Sequence, residues 1–155
     1  MSIGSPRGLV APVLSLLILP PAVTCLAEPH AERISMTIVE ETNKFRESEG
    51  RKPLKVDPKL SEAARKHAEQ MAREEKMSHE GFSPFIKEAG YRFSHIAENV
   101  ADFEGHLTAG AVVDGWKRSP GHRKNLLDPH VTEIGVGIAR GKSGRYYVCQ
   151  DFGHP

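Results

Sequence analysis

The order of segments along this 155-residue chain predicts an α+β fold in a single domain. Residues 34–127 are dominated by amphipathic helical patterns, whereas residues 134–152 hold two β-rich segments separated by a glycine-containing turn. No repeat, low-complexity run or inner linker divides the two parts. The length is sufficient to enclose one sizeable hydrophobic core.

The first 27 residues differ from the rest and have the pattern of a secretory signal peptide. One basic residue is followed by an apolar run at 9–19, by two prolines and by small residues that allow cleavage after Ala27. The run is shorter than the roughly 20 apolar residues of a membrane-spanning helix. The alternatives are an uncleaved anchor and a lipid attached at Cys25, which the preceding threonine disfavours. We therefore expect a secreted (periplasmic or extracellular) protein whose mature domain, residues 28–155, has no membrane-spanning segment.

The predicted mature domain has equal numbers of acidic and basic residues, because Arg7 is the only charged residue before position 28. This balance gives no indication of binding to nucleic acid or to an anionic membrane. Cys149 is the one cysteine left, which excludes an internal disulfide. It is interpreted as a small buried residue of the last strand, with pairing between molecules as the alternative.

The helical part begins with an apolar stripe that includes Ile34 and Ile38 and ends at Gly50. On this helix Asn43 and Arg46 are expected to bond backbone groups of neighbouring segments. After an extended link, Asp57-Pro58 starts a second helix, with aspartate at the cap and proline in the first turn.

Three further helices are predicted to begin at hydroxyl residues. Ser83-Pro84 starts a short helix that ends at Gly90, Thr108 caps the next helix, and Ser119-Pro120 starts the last one. The segment 91–103 is interpreted as mostly irregular.

The end of the chain predicts an antiparallel hairpin, with strands at 134–139 and 146–152. Gly135 and Gly137 alternate with apolar residues in the first of these strands, which indicates close packing or a bulge there.

Three separate segments supply residues that could form one polar cleft. His79 follows a helix end in a break rich in serine and glycine, and His122 lies in the first turn of the last helix. Glu98 has apolar neighbours, where a carboxylate is costly to bury unless it is paired. It either bonds loop amides, ligates a metal or orients a histidine. His67 lies in an apolar stripe of the second helix and is interpreted as a satisfied core residue.

Two imidazoles and a carboxylate suit zinc and leave a fourth position for water. His79, His122 and Glu98 are therefore the candidate metal ligands and zinc the candidate cofactor. The chain has neither the His-Glu-x-x-His motif of zinc proteases nor a Gly-x-Ser-x-Gly nucleophile motif. Ser119, three residues before His122, is interpreted as a helix cap rather than a nucleophile.

Taken in order, these residues resemble the CAP superfamily (cysteine-rich secretory proteins, antigen 5 and pathogenesis-related 1 proteins), most closely its bacterial secreted branch. The resemblance extends from about residue 34 to residue 153. Its landmarks in this sequence are Asn43-Lys44-Phe45-Arg46, Pro53-Leu54, Asp57-Pro58, Leu60, Ala63-Ala64-Arg65, Met71, Ser78-His79, Ala97-Glu98-Asn99-Val100, Gly115-Trp116, Ser119-Pro120-Gly121-His122-Arg123, Asn125, Glu133-Ile134-Gly135-Val136-Gly137 and Phe152-Gly153.

The resemblance implies a three-layer α-β-α sandwich with a central antiparallel sheet and a cleft lined by two histidines and two glutamates. By motif, His79 and His122 take the histidine places and Glu98 takes one glutamate place. Ser119 stands where the second glutamate is expected, so the set of four is incomplete. Glu133 is a candidate to fill that place.

Three functions are compatible with this pattern. The favoured one is an extracellular binding module for a divalent metal, a lipid or a cell-surface component, because one carboxylate is missing. The second is a metal-assisted hydrolase of peptides or cell-wall material, in which zinc activates water and Glu98 acts as base or third ligand. The third is a structural surface protein with a vestigial cleft.

Overall fold

A computed structural model describes residues 29–155, so the predicted signal peptide, its cleavage site and Cys25 lie outside the described residues. None of the helices in this range is both long and apolar enough to cross a membrane. The elements, in chain order, are α1 (Pro29–Ser48), β1 (Lys55–Val56), α2 (Pro58–Glu74), α3 (Phe82–Glu88), β2 (His95–Phe103), α4 (Ala109–Arg118), α5 (Pro120–Leu126), β3 (Glu133–Arg140) and β4 (Tyr146–His154).

One four-stranded sheet with the order β1-β3-β4-β2 forms the middle layer. The predicted hairpin is confirmed as β3 and β4, and β2 pairs antiparallel with β4. The short β1 pairs parallel with β3, so the sheet is mixed rather than fully antiparallel. Within the described chain β2 is an edge strand, and its carbonyls at Glu98 and Val100 accept from the side chains of Asn125 and Trp116.

Helices α1, α4 and α5 cover one face of the sheet. Their apolar stripes pack with the inward residues of β3 and β4 in the largest hydrophobic cluster, which includes Ile38, Val112, Trp116, Leu126 and Phe152. Such a continuous buried layer is the expected main source of stability.

Polar side chains tie α1 to its neighbours. Asn43 bonds both backbone groups of Leu54, and Arg46 donates to the carbonyls of Lys52, Leu126 and Asp128. Arg46 is almost fully buried. The prediction that Asn43 and Arg46 bond neighbouring backbone is therefore confirmed.

Helix α2 covers the other face and approaches β3 at backbone contact. A Cβ atom on Gly137 would lie 2.2 Å from the backbone nitrogen of Arg65, and one on Gly135 would lie 2.2 Å from the backbone carbon of Leu60. The close packing predicted at these two glycines is confirmed.

Two of the predicted helix caps form side-chain bonds, and two do not. Asp57 accepts from the backbone of α2, and Thr108 accepts from that of α4. Ser119 occupies the cap position of α5 without a side-chain cap bond. The prediction for Ser83 is wrong, because α3 already begins at Phe82, after the left-handed Gly81 (φ +98°).

The interpretation of residues 91–103 as irregular is wrong, because β2 occupies His95–Phe103. Helical layers cover both faces of this strand, and its central residues Glu98, Asn99 and Val100 are all buried. A strand buried on both faces shows no alternation of polar and apolar residues. Two polar residues at its centre hid it further.

Candidate functional site

Glu98 lies at the centre of β2 with its side chain directed towards α2, and only 5% of its surface is exposed. Its Oε1 lies 2.5 Å from Nδ1 of His67, and its Oε2 lies 2.6 Å from Nδ1 of His79. As a carboxylate, Glu98 accepts from both imidazoles. These two contacts are the ones expected if Glu98 orients histidines, which is one of the three alternatives drawn from the sequence.

The two cleft histidines come from opposite layers. His79 follows α2, and 62% of its side chain is exposed. His122 lies in α5, with its ring 6.5 Å from the ring of Trp116. Because β2 is an edge strand, side chains from the two layers can approach each other around it. Burial and, second, the charge of His79 lower the pKa of His122, which favours a neutral ring there.

An amide network fastens β2 to α5 behind the cleft. Asn125 donates to the carbonyl oxygen of Glu98 (2.8 Å) and to Oδ1 of Asn99 (3.0 Å). Asn99 in turn donates to the carbonyl of His122 (3.3 Å) and to Gln150 (3.1 Å). Satisfied buried networks of this kind hold their members in one arrangement. The network therefore fixes His122 relative to Glu98.

Two further titratable residues of β4 lie against Glu98 in the interior. Asp151 is its direct partner in the sheet, and Cys149 donates from Sγ to carboxylate oxygens of both acids at 3.3 Å. Burial, together with the charge of Glu98, raises the pKa of Asp151 well above that of an exposed aspartate. Burial and then the two acids also raise the pKa of the Cys149 thiol.

Cys149 is therefore an inert structural thiol. It is fully buried and free, which confirms its interpretation as a buried residue of the last strand. Its Sγ also lies within 4.8 Å of ligand atoms of His67 and Glu98. A protonated thiol is a poor metal ligand, so these three residues are better described as a hydrogen-bonded core.

Glu133, the remaining candidate residue, lies apart from the other three. Glu133 lies two strands away from β2, and its Oε2 accepts from the hydroxyl of Tyr91 at 2.6 Å. Burial, with the hydrogen bond to Glu133 next, raises the pKa of Tyr91. The structure thus brings His79 and Glu98 into contact and places His122 within electrostatic range of His79. It places Glu133 in a separate contact.

Sequence reasoning missed the part played by His67 and Asp151. The interpretation of His67 as a core residue is confirmed by its 1% exposure, but Nε2 of its ring has no hydrogen-bond partner. A histidine buried within an apolar stripe needs a hydrogen-bond partner. This requirement was the one indication in the sequence that His67 contacts another polar residue. Asp151 follows Cys149 at the same-face spacing of a strand, but nothing in the sequence aligns it with Glu98.

The geometry distinguishes the residues that can hold a ligand from those that support them. Since Nδ1 of His79 is occupied by Glu98, Nε2 is the nitrogen that remains for a ligand. A metal-binding histidine usually donates its other nitrogen to a carboxylate in this way. His79 and His122 could therefore hold an ion, with Glu98 behind His79.

Comparison with known proteins agrees with this architecture. The family model of the cysteine-rich secretory protein family (CAP) matches residues 39–152. The Bacillus subtilis (strain 168) protein YkwD is 38% identical over 121 residues, which cover 75% of this chain and 46% of YkwD.

Solved structures with the same fold include an extracellular protein containing an SCP domain from Bacillus anthracis. It has 25% identity and a TM-score of 0.73 over 81% of this chain and 41% of that chain. NaASP2, solved with Zn²⁺, has 16% identity and a TM-score of 0.59 over 79% of this chain and 80% of its own. The chain spans less than half of the length of YkwD and of the Bacillus anthracis protein. The match of the family model over most of the described residues shows that this chain belongs to the cysteine-rich secretory protein (CAP) family.

Proposed function

We propose that this chain is an extracellular binding module whose cleft holds a divalent metal ion, zinc above all, on His79 and His122. The observation that carries the proposal is the hydrogen bond between Glu98 and Nδ1 of His79, which leaves Nε2 of an exposed ring for the ion. The lowered pKa of His122 supports it, because a metal binds only the neutral imidazole.

In this proposal Glu98 supports the site and does not ligate the ion. Each of its oxygens already accepts from an imidazole, and the carboxylate is almost fully buried, whereas the ring of His79 is exposed. An ion that enters the cleft therefore meets Nε2 of His79 rather than the oxygens of Glu98. Glu98 therefore fixes the ring of His79 and increases its basicity towards the ion.

The same geometry favours binding over hydrolysis. A general base must have an oxygen within hydrogen-bond reach of the attacking water, whereas Glu98 is almost fully buried and each of its oxygens already accepts from an imidazole. Ser119 stands in place of the second carboxylate, and Glu133 is bonded to Tyr91. The occupant we propose for the metal-loaded cleft is a lipid or a cell-surface component.

The extracellular location rests on the predicted signal peptide and on relatives. The Bacillus anthracis protein that shares this fold is described as extracellular. A secreted domain without a disulfide would depend on packing for its stability, and the two hydrophobic layers provide that packing.

Zinc titration calorimetry on the full chain tests the metal site. We expect His79→Ala and His122→Ala each to lose one equivalent of micromolar zinc binding, and Glu98→Gln to weaken it by about 10–100-fold. The matched control is His106→Ala, which removes an exposed imidazole outside the cleft and should leave zinc binding unchanged.

Zinc binding that is unchanged in both His79→Ala and His122→Ala would contradict the proposal. A metal-dependent hydrolysis of peptide or cell-wall material that Glu98→Gln abolishes would instead support the hydrolase alternative.

A further inference from the structure

A second cluster of possible metal ligands lies on the other face of β2. His95 precedes Glu98 by three residues in this strand, so the two side chains leave opposite faces of the sheet. Nε2 of His95 lies 2.7 Å from Oδ2 of Asp128, and Nδ1 of His130 lies 3.0 Å from Oδ1 of the same carboxylate. The ligand atoms of the three residues all lie within 4.8 Å of one another.

The backbone holds these residues in place. Asp128 follows α5, its nitrogen donates to the carbonyl of Asn125 (3.3 Å), and its carbonyl accepts from the buried Arg46 (3.1 Å). The backbone nitrogen of His130 donates to Oδ1 of Asp128 at 2.8 Å, which closes a tight turn. His95 is fixed by strand pairing with His154. The cluster therefore does not depend on mobile side chains alone.

We propose that His95, Asp128 and His130 form a second site for a divalent transition-metal ion, with Nε2 of His95, Nδ1 of His130 and one carboxylate oxygen as ligands. Two imidazoles and a carboxylate are a ligand set that zinc and its neighbours accept, whereas calcium and magnesium prefer oxygen alone. The ion would replace the protons that lie between these atoms.

The distances in the cluster are close to those that such an ion requires. With bonds of about 2.0–2.2 Å, a tetrahedral zinc ion spaces its ligand atoms roughly 3.3–3.6 Å apart. His95 lies 2.7 Å from Oδ2 of Asp128, and His130 lies 3.0 Å from Oδ1. The distance to the oxygen that becomes the ligand therefore needs to lengthen by roughly 0.3–0.9 Å. Small rotations of the two rings suffice, because the side chains of His95 and His130 are 42% and 74% exposed.

The cluster borders an open cavity of about 580 Å³, which gives access to an ion and to a fourth ligand. Arg51 and Lys124 also line this cavity. Their positive charge opposes a bare cation but attracts an anion to the fourth coordination position. The fourth ligand proposed here is therefore an anion such as chloride, phosphate or a carboxylate.

Zinc titration of the full chain carrying His79→Ala and His122→Ala tests this site independently of the cleft. We expect one zinc ion per chain to remain bound, at least tenfold more weakly when His130→Ala is added. The matched control, His106→Ala added to the same double variant, should change nothing, since both residues are exposed imidazoles. Nitrogen-15 NMR of the imidazoles should show zinc on Nδ1 of His130 and on Nε2 of His95.

No zinc binding in the double variant, or binding that His130→Ala does not weaken, would overturn the second site. So would zinc on Nε2 of His130, because that nitrogen is not the one facing Asp128. None of these results bears on the cleft, whose test uses the wild-type chain.

Discussion

At the scale of single residues, one buried carboxylate organises the site. Glu98 has a buried imidazole on one oxygen and an exposed imidazole on the other. A carboxylate enclosed by protein is tolerated only when its hydrogen bonds are satisfied. The buried His67 therefore stabilises the fold. The exposed His79 is held by the same carboxylate, which leaves Nε2 of its ring open to the solvent.

This difference predicts unequal effects of two matched substitutions. His67→Ala should lower the free energy of unfolding by about 3–5 kcal/mol, because it opens a cavity and leaves a buried oxygen of Glu98 with only the weak thiol donor of Cys149. His79→Ala should cost about 1 kcal/mol or less, since water can replace an exposed ring. Urea denaturation measures both values. Equal costs, or a larger cost for His79→Ala, would show that the assignment of roles is wrong.

Asp151 makes the stability of the folded chain depend on pH. Its pKa is raised by burial and by Glu98, so between the unfolded and folded pKa values the folded chain binds more protons than the unfolded chain. Its contribution to stability is therefore complete below the unfolded pKa and decreases as the pH rises through this window.

Asp151→Asn removes this loss because an amide does not ionise. We expect the free energy of unfolding of Asp151→Asn, relative to that of the wild type, to increase as the pH rises above about 4, by about 1.4 kcal/mol for each unit by which the pKa is raised. Denaturation curves at several pH values check this, with the exposed Asp114→Asn as control. A difference that does not change with pH would contradict the account.

At the scale of elements, the packing of α2 on β3 depends on two glycines. A side chain at Gly137 would meet the backbone of α2, which cannot move aside as a flexible side chain can. This contact places His67 against Glu98, so the packing of the helix and the geometry of the site are linked.

Gly137→Ala should therefore lower the free energy of unfolding by about 1–3 kcal/mol or more. Gly115 in α4 is the matched control, because a Cβ there meets nothing within 4 Å. Gly115→Ala should raise the free energy of unfolding by about 0.5–1 kcal/mol, as expected for glycine inside a helix. Thermal and urea unfolding measure both changes. A Gly137→Ala variant with the same free energy of unfolding as the wild type would contradict the close contact between α2 and β3.

How far the sequence predicts the elements depends on whether local chemistry determines them. The caps Asp57 and Thr108 and the hairpin after Glu133 were predictable, because cap bonds and turn residues are local. Strand β2 was missed because tertiary burial on both faces removes the alternation that identifies a strand. The parallel pairing of β1 is equally invisible, since two residues carry no pattern.

At the scale of the whole molecule, the candidate site takes its residues from the segment after α2, from the edge strand β2 and from α5, so both helical layers contribute to it. The resemblance to the CAP family predicted the layers and the positions of His79, Glu98 and His122 as candidates. It did not predict that both oxygens of Glu98 are engaged, nor that Asp151 lies beside Glu98. These contacts join residues 19 to 53 positions apart, and no local pattern fixes such distances.

The most direct test of the central claim is a crystal structure of the full chain with zinc, with anomalous diffraction recorded at the zinc edge. We expect an anomalous peak about 2.0–2.1 Å from Nε2 of His79 and from a ring nitrogen of His122, with Glu98 still bonded to Nδ1 of His79. A zinc ion bonded to the oxygens of Glu98, or a zinc-loaded crystal with no peak between His79 and His122, would contradict it.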